Sequence, residues 1–288
     1  MPRSFCVFSV VLALASFFSV SAVGSAAAET LSEFRLSVDS WVRSTGSGSS
    51  SVSALEPLAS IPMTGKAIVV NLPAFEALLV EDDVIVARTP VIVGRPGSPT
   101  PTMSVLATAA VFDPSWNPPD GIRSVFASRL ASGRGLGHVY DGLVAIDGNG
   151  VSKRIEDLGP ADLASSSLRF HQPPGPDNAL GRFKVELAGS PRSIKLHDTN
   201  ERGLFSERYR ALSSGCVRVR DWDVLAGWLT GTTREEAVSR TGTGRTRSMT
   251  LSRAVPVIVI YSLAWRDESG AMARLPDVYG RFGPRSGR

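Results

Sequence analysis

Cysteine and histidine are both scarce in this sequence. Among 288 residues there are two cysteines, Cys6 and Cys216, and three histidines, His138, His171 and His197. The dispersed histidines and the cysteines offer no pair with metal-ligand spacing, so no metal site is predicted. Cys6 belongs to a segment predicted to be removed on export, which leaves Cys216 without an intramolecular disulfide partner. A lone exported thiol is either a buried inert group or a reactive one.

Other absences narrow the range of partners. The sequence has no basic cluster with interleaved aromatic residues, and its formal net charge is only +4, so nucleic acid is not a predicted partner. The mild positive charge fits affinity for an anionic cell-wall or membrane surface. After the N-terminal segment there is no second long apolar run and no internal repeat. The remainder is therefore interpreted as a globular protein.

The N-terminal stretch is typical of a secretory signal peptide. Arg3 gives a positive start, residues 7–20 are almost wholly apolar, and Ser25 to Ala28 supply the small residues that signal peptidase requires. Cleavage after Ala28 gives a signal peptide over 1–28 and predicts a mature protein in the periplasm or cell envelope. The alternative is an uncleaved membrane anchor, for which the apolar stretch is a little short.

A Gly/Ser-rich stretch separates the next segment from the rest of the chain. Residues 44–54 have the composition of a flexible coil. Residues 29–66 are therefore interpreted as an N-terminal extension and linker, and the folded part is expected to start after them. The mature chain is long enough for one sizeable domain or two small ones.

The pattern beyond the linker predicts strands. Short β-branched runs broken by turn residues indicate an antiparallel, hairpin-rich sheet, and they span 67–72, 75–80 and 84–93. Residues 95–121 are rich in proline, which argues against a central strand or a long helix there. Over 121–168 the periodicity weakens, and a short helix at 122–130 with glycine-rich loops is interpreted as an excursion packed over the sheet.

The C-terminal third gives clearer signals for helices. Further elements are predicted in chain order: a strand over 193–196 leading into His197, a helix from an Asp221 N-cap to Leu229, a short helix capped by Thr232 or Thr233, and a final strand over 255–265. The predicted fold class is mostly β with α additions. It is a β-rich sandwich with a lid-like excursion and short helices after Cys216.

The surroundings of Cys216 favour a reactive thiol. Cysteine attacks carbonyls as thiolate, and a nearby imidazole is the usual means of generating one. His197 is the best placed of the three histidines, because it follows an apolar strand and a loop separates it from Cys216. Gly215 allows a tight bend, so the main-chain N–H groups of Ser214, Gly215 and Cys216 are candidates for an oxyanion hole. On these grounds alone, a cysteine that fills a gap in the core remains an equal alternative.

The same region resembles the active-site signature of a known enzyme family. The runs 194–199 (IKLHDT) and 210–219 (RALSSGCVRV) closely resemble that of the L,D-transpeptidases with a YkuD-type domain, which cross-link peptidoglycan through a catalytic cysteine. Four more blocks fit the larger members of this family: 91–96 with Thr100 and Pro101, 116–119, 174–181 and 278–281. The resemblance implies a catalytic domain over 67–282, with a capping excursion over about 121–168 and a tail at 283–288.

The resemblance implies a role for each residue of the signature. Cys216 corresponds to the nucleophile and His197 to its base, with the oxyanion hole around Ser214 to Cys216. The family orients the histidine through a main-chain carbonyl, so Asp198 is not expected to be a triad carboxylate. Many members have histidine where Ser214 stands and asparagine where Arg218 stands, and the residues here match a recognised subgroup.

Three more residues are candidates for substrate binding, each with a structural alternative. Arg218 is a candidate partner for a carboxylate of the stem peptide, or it forms a structural ion pair with Asp221 or Asp223. Trp116 lines the cleft or anchors its proline-rich loop in the core. Asn178, in a block that the resemblance places near the entrance, contacts substrate or shapes its loop.

The resemblance also implies a reaction and its partners. A tetrapeptide stem would acylate Cys216 with loss of D-alanine, and the amine of a diamino acid on a second stem would take the acyl group, giving a 3-3 cross-link. No cofactor is needed, carbapenem-type inhibitors are expected to acylate the thiol, and a monomer is expected. The alternatives are a related cysteine enzyme that attaches a protein to peptidoglycan or hydrolyses such a link, an L,D-carboxypeptidase, or a wall-binding module with an inert cysteine.

Overall fold

The structure of the chain is a computed structural model that describes residues 28–45, 56–118, 122–133, 137, 140–159, 162 and 167–282. Most of the predicted signal peptide, most of the Gly/Ser stretch, His138 and the tail at 283–288 lie outside these residues. Within the described ranges, no helix is both long enough and apolar enough to cross a membrane.

The described residues form four α-helices and fourteen strands. The helices are α1 (Leu31–Ser44), α2 (Ile122–Ala131), α3 (Trp222–Thr230) and α4 (Arg234–Ser239). The strands are β1 (Lys66–Asn71), β2 (Glu76–Glu81), β3 (Val84–Gly94), β4 (Met103–Phe112), β5 (Val144–Ile146), β6 (Ser152–Arg154), β7 (Arg169–His171), β8 (Phe183–Ala188), β9 (Leu196–His197), β10 (Ala211–Ser213), β11 (Val217–Val219), β12 (Arg247–Ile260), β13 (Ala264–Arg266) and β14 (Met272–Arg274).

Nine strands form one sheet that closes on itself. Their order is β10-β3-β11-β9-β8-β4-β12-β1-β2. The first part of β3, residues 84–90, also pairs with β2, whereas residues 91–94 pair with β11 and β10. One long strand thus joins both ends of the sheet. The prediction of a mostly β fold with a few helices is confirmed.

Three ladders of this sheet are parallel, which the hairpin pattern does not predict. They are β1 with β12, β11 with β9, and β10 with β3. Parallel neighbours need a crossover connection, so they are distant in sequence or separated by other elements. Local runs of residues predict the hairpins of β1, β2 and β3 but contain no signal for these pairings.

The prediction that residues 95–121 hold no central strand is wrong. β4 lies in this segment and pairs with β12 on one side and β8 on the other. The prolines flank the strand at Pro101 and Pro114, and Met103–Phe112 contains none. A ten-residue strand therefore fits between them with its ladder donors intact.

Side chains alternate between the two faces of the sheet, so the buried apolar residues form two separate clusters. In β1, Ile68 and Val70 belong to a cluster shared by strands from all round the sheet, whereas Ala67 and Val69 belong to a second cluster on the other face. Helix α1 covers that second face with buried side chains at Leu31, Phe34, Val38 and Val42. The expectation that the folded part starts after the linker is wrong, because α1 precedes the linker and contributes to this core.

The excursion has a small core of its own. Helix α2 matches the helix predicted at 122–130 and is one residue longer. Strand β5 lies between β6 and β7 in a separate three-stranded sheet. Together they bury a cluster that includes Phe126 and Phe170. This unit joins the main sheet beside Trp116, whose main chain forms a β-bridge with Gln172.

The elements after Cys216 match the predicted helices and extend the final strand. Helix α3 follows Asp221, although the Asp221 carboxylate accepts from Thr89 and Arg220 and not from the helix end. Helix α4 begins with a capping box between Thr233 and Glu236. The predicted final strand is in fact two: β12 starts earlier and ends at residue 260, and β13 follows after a break.

Candidate active site

Cys216 lies in the connection between β10 and β11, at the point where β11 enters the sheet. Strand β11 runs parallel to β9, and their register places Arg218 opposite His197. The N–H of Val217 donates to the carbonyl of Lys195 at 2.9 Å. This bond extends the pairing of β9 and β11 by one residue toward Cys216. Since side chains alternate along a strand, Cys216 and Arg218 lie on one face. The same alternation puts Cys216 on the face of the sheet that carries His197 and Arg218.

The main chain fixes the orientation of the His197 ring. Its Nδ1 atom forms a short hydrogen bond with the main-chain carbonyl of Asp198. Because a carbonyl oxygen only accepts, Nδ1 carries the proton of the neutral imidazole and Nε2 keeps its lone pair. The ring is only 5% exposed. It is thus a neutral imidazole with the tautomer that a general base requires.

The side chain of Asp198 turns away from His197, as predicted. Its Oδ2 atom accepts from the N–H of Arg182 at 2.9 Å, and Arg202 forms an ion pair with Oδ1. Gly181 has a φ of +62°, and a Cβ atom there would lie 2.3 Å from Asp198 Oδ2. Only glycine fits this close approach, so the loop at 174–181 is shaped to receive the Asp198 carboxylate.

A second loop supports the connection that carries Cys216. The hydroxyl of Thr100, fully buried, accepts from the N–H of Gly94 at 2.8 Å and donates to the carbonyl of Gly215 at 2.7 Å. The hydroxyl of Ser98 donates to the carbonyl of Ser214 at 3.0 Å. Two hydroxyl groups thus hold the residues immediately before the thiol.

The predicted oxyanion hole is only partly available in this structure. Ser213 donates its hydroxyl to the Cys216 carbonyl at 2.6 Å and accepts from the Gly215 N–H at 3.1 Å. The Gly215 N–H is therefore already engaged, which departs from the prediction for that donor. Within the described part of the chain, the N–H groups of Ser214 and Cys216 have no protein acceptor and are the remaining candidates.

Burial keeps both reacting groups neutral. Desolvation, followed by the positive charge of Arg218, lowers the pKa of His197 to about 3. Desolvation raises the pKa of Cys216, although a main-chain hydrogen bond from Lys195 and the charges of Lys195 and Arg218 oppose this. The same two cations act on both groups. At neutral pH the resting site therefore holds a thiol and an uncharged imidazole, without a preformed ion pair.

Comparison with known proteins identifies the family. The YkuD family model, described as the L,D-transpeptidase catalytic domain, matches residues 65–259, more than half of the chain. The chain belongs to the L,D-transpeptidase family. A relative from Haemophilus influenzae, named "Putative L,D-transpeptidase", is 34% identical over 228 residues, which cover 76% of this chain and 45% of that protein. The chain thus spans less than half the length of this relative.

Solved L,D-transpeptidase structures are more distantly similar. L,D-transpeptidase 3 from Mycobacterium tuberculosis is 12% identical, with a TM-score of 0.32 over 68% of this chain and 60% of that chain. The catalytic domain of the Enterococcus faecium enzyme acylated by ertapenem is 11% identical, with a TM-score of 0.31 over 69% of this chain and 99% of that one. Values this low support no conclusion by themselves.

Arg218 forms an ion pair with a partner that the sequence did not indicate. Its Nη1 atom lies 2.8 Å from Glu201 Oε2, and the arginine side chain is 13% exposed. The structural partners predicted for it, Asp221 and Asp223, are bound instead to Arg220 and Arg234. The Arg218–Glu201 pair lies beside His197, where its guanidinium contributes to the lowered pKa of the imidazole.

Trp116 and Asn178 both lie in supporting positions. Trp116 stacks on Tyr140 with ring centroids 5.9 Å apart and packs against the core of the excursion. The Asn178 amide donates to the carbonyls of Gln172 and Pro173 and accepts from the N–H of Leu180. Loop architecture accounts for these contacts, and a contact of either residue with substrate stays a prediction.

One residue of the excursion is coupled electrostatically to groups near Cys216. Burial raises the pKa of the Tyr140 phenol, and the charges of Arg129, Glu201, Arg218 and Arg95 also act on it. Two of these residues, Glu201 and Arg218, form the ion pair beside His197. A capping role for the excursion stays a prediction.

Sequence reasoning missed the residues that hold the site together. Thr100 was noted only as part of a family block, and Ser98, Ser213 and Glu201 were not singled out. Thr100 and Ser98 bind main-chain groups more than a hundred positions away, and such contacts leave no local pattern in the sequence. Among the described residues, no group of three His, Cys, Asp or Glu side chains could hold a metal ion.

Proposed function

We propose that this L,D-transpeptidase forms 3-3 cross-links between peptidoglycan stem peptides through a thioester on Cys216, with release of D-alanine. The observation that supports the proposal is the β9–β11 register, which pairs Arg218 with His197 and extends toward Cys216, together with the hydrogen bond that orients the imidazole through Nδ1. A binding module would need neither the thiol nor the oriented base.

The first half-reaction acylates the enzyme. The Sγ atom of Cys216 attacks the carbonyl carbon of the diamino acid at the third position of the donor stem, and the thiol proton passes to Nε2 of His197. The N–H groups of Ser214 and Cys216 stabilise the oxyanion. The bond to D-alanine then breaks, and its leaving amine takes the proton from His197.

The second half-reaction transfers the acyl group to an amine. The side-chain amine of a diamino acid on a second stem attacks the thioester, loses a proton to His197, and releases the Cys216 thiol. Water competes with the amine at this stage. We propose that the excursion over 121–168 caps the site and excludes water, and the coupling of Tyr140 to the charges of Glu201 and Arg218 supports this.

The location of the substrate fits the N-terminal sequence. We propose that residues 1–28 direct export and that the enzyme acts in the periplasm or cell envelope, where peptidoglycan is found. Carbapenem-type compounds are proposed inhibitors, since their strained carbonyl would be open to attack by the Cys216 thiol. The acyl-enzyme would form on Cys216.

Incubation of purified protein with tetrapeptide-bearing muropeptides, followed by mass analysis, tests the proposal. The expected products are a thioester on Cys216 and dimers that have lost one D-alanine. Tripeptide monomers alone would identify an L,D-carboxypeptidase, and cleavage or formation of a protein–peptidoglycan link alone would identify the related cysteine enzyme. Cys216→Ala serves as the control and should give no product.

A further inference from the structure

Two arginines on the segments around the Cys216 turn contact only neutral groups. The Nη1 atom of Arg95 donates to Ser214 Oγ at 3.2 Å, and the Nη2 atom of Arg192 donates to the Pro99 carbonyl at 3.4 Å. Neither forms an ion pair with an acidic side chain in the described ranges. Three nearby arginines differ in this respect, because acids neutralise each of them: Arg202 with Asp198, Arg218 with Glu201, and Arg220 with Asp221.

Both arginines are tied to the main chain that carries the thiol. The N–H of Arg95 donates to the Ser213 carbonyl at 2.9 Å, directly before the turn to Cys216. The segment that follows Arg192 reaches the same turn, since Ile194 Cδ1 lies 3.1 Å from the position of a Cβ on Gly215. The segments that carry Arg95 and Arg192 therefore both pack against the turn immediately before Cys216.

The backbone that presents Arg192 is strained. Arg192 and Ser193 have φ values of 52° and 54°, so two consecutive residues other than glycine adopt the left-handed region. Such conformations are costly, and they cluster where function requires a particular side-chain position. This corner directs the Arg192 side chain toward Pro99, on the loop of Arg95.

A third cation lies next to this pair. Lys195 follows the strained corner, and its positive charge acts on both Cys216 and His197. Among the residues that the structure describes, its Nζ atom has the Ser193 carbonyl as its one partner, at 3.4 Å. Positive charge without acidic neutralisation thus accumulates on one side of the thiol, where an anionic group of the substrate would be attracted.

We propose that Arg95 and Arg192 form a clamp that binds a free carboxylate on the side chain of the donor's diamino acid. The proposal rests on the proposed function and deepens it. The diamino acid supplies the carbonyl that Cys216 attacks, so its own side chain lies next to the thiol. Guanidinium groups bind carboxylates through paired, charge-assisted hydrogen bonds. The clamp would make the enzyme selective for donors whose diamino acid carries an unmodified second carboxylate.

The test compares two donor tetrapeptides that differ at one group. One has a free side-chain carboxylate on the diamino acid, and in the other this carboxylate is amidated. The proteins are the wild type, the double variant Arg95→Gln with Arg192→Gln, the matched Lys double variant, and Arg253→Gln as an exposed arginine elsewhere on the sheet. KM and kcat are measured for each donor, and alkylation by iodoacetamide, which is uncharged, reports the reactivity of Cys216.

The wild type and Arg253→Gln should favour the free carboxylate by about 10- to 100-fold in kcat/KM, the range for a charge-assisted hydrogen bond. The Gln double variant should lose this preference through a raised KM, with kcat and alkylation changed less than about twofold, and the Lys variant should restore part of it. Equal use of both donors by the wild type, or a preference that survives in the Gln double variant, would overturn the clamp. Failure of every donor with the wild type would instead refute the proposed function, and the clamp with it.

Discussion

His197 is oriented by the main chain of Asp198 and not by its carboxylate. The Nδ1 atom contacts the Asp198 carbonyl, while the carboxylate binds the N–H of Arg182 and the guanidinium of Arg202. The residue next to the histidine therefore has two separable tasks. Its backbone sets the tautomer of the imidazole, and its side chain joins the loops around the site.

This separation predicts different effects for two substitutions. Asp198→Asn should lower the free energy of unfolding by about 1–3 kcal/mol, because a buried charged acceptor is lost from Arg202 and Arg182. Acylation by a carbapenem should stay within about threefold of wild type. His197→Gln should slow acylation by about 10²- to 10⁴-fold, the range for a positioned acid–base group. Denaturant unfolding measures the free energy of unfolding, and intact-protein mass measures the rate of acylation. If Asp198→Asn acylated as slowly as His197→Gln, the carboxylate would be part of the catalytic machinery.

The pKa of His197, lowered to about 3 mainly by burial, predicts the pH dependence of acylation. A base with the ordinary value near 6.5 would be mostly protonated at pH 5, and the rate would fall about 30-fold between pH 7 and pH 5. Here the imidazole stays neutral, so the acylation rate should be nearly flat from pH 5 to pH 8. A rate that rises tenfold per pH unit would instead show that acylation depends on thiolate formed by deprotonation in solution, without His197 as the base. His171→Gln is the control and should follow the wild-type profile.

The same lowered pKa predicts how stability depends on pH. The unfolded chain binds a proton on His197 below about pH 6.5, whereas the folded protein resists it until about pH 3. The stability that depends on a neutral His197 is therefore fully present above pH 6.5 and is lost as the pH falls toward 3. Between pH 7 and pH 5, wild type should lose about 2 kcal/mol more than His197→Gln in denaturant unfolding. Parallel stability curves for the two proteins would contradict this.

Thr100 provides a test of the support beneath Cys216. Thr100→Val removes the hydroxyl that links the Gly94 N–H to the Gly215 carbonyl, and each group is then buried without a partner. We expect the free energy of unfolding to fall by about 1–3 kcal/mol for each lost bond and acylation to slow. Thr102→Val, at an exposed site in the same segment, should change stability by less than about 0.5 kcal/mol. Equal effects of the two changes would remove Thr100 from the support of the site.

The sequence predicts His197 and Cys216 as a pair because the information that points to them lies close together. His197 and Cys216 stand in two short blocks of one signature, and the helices after Cys216 have local caps. The sequence does not predict β4 when the proline content of the whole segment is used. The informative quantity is the length of the proline-free run between Pro101 and Pro114. Proline constrains its own position and its neighbour, so a sufficiently long proline-free run can still form a strand.

The supporting contacts could not be predicted for a different reason. Thr100 meets Gly215, Arg95 meets Ser214, and the parallel pairing of β1 with β12 joins the two ends of the domain. Each depends on how distant parts of the chain are brought together, and a single sequence does not encode such contacts locally. The ion pair of Arg218 with Glu201 is shorter in range, at 17 residues, but the sequence favours Asp221 and Asp223 because they stand nearer to Arg218.

Trp116 links the excursion to the main sheet and so tests the role of the cap. Its ring stacks on Tyr140, and its main chain pairs with Gln172. Trp116→Ala should loosen this attachment, because the stack and its packing against the small core are lost. Water would then reach the thioester more readily. The ratio of cross-linked dimers to hydrolysed tripeptides should therefore fall, by up to about tenfold. The rate of acylation by a carbapenem should change little. Val151→Ala, at a residue 54% exposed in the same excursion, should leave the ratio unchanged. If Trp116→Ala instead slowed acylation and kept the ratio, Trp116 would serve substrate binding, and exclusion of water would have to come from elsewhere.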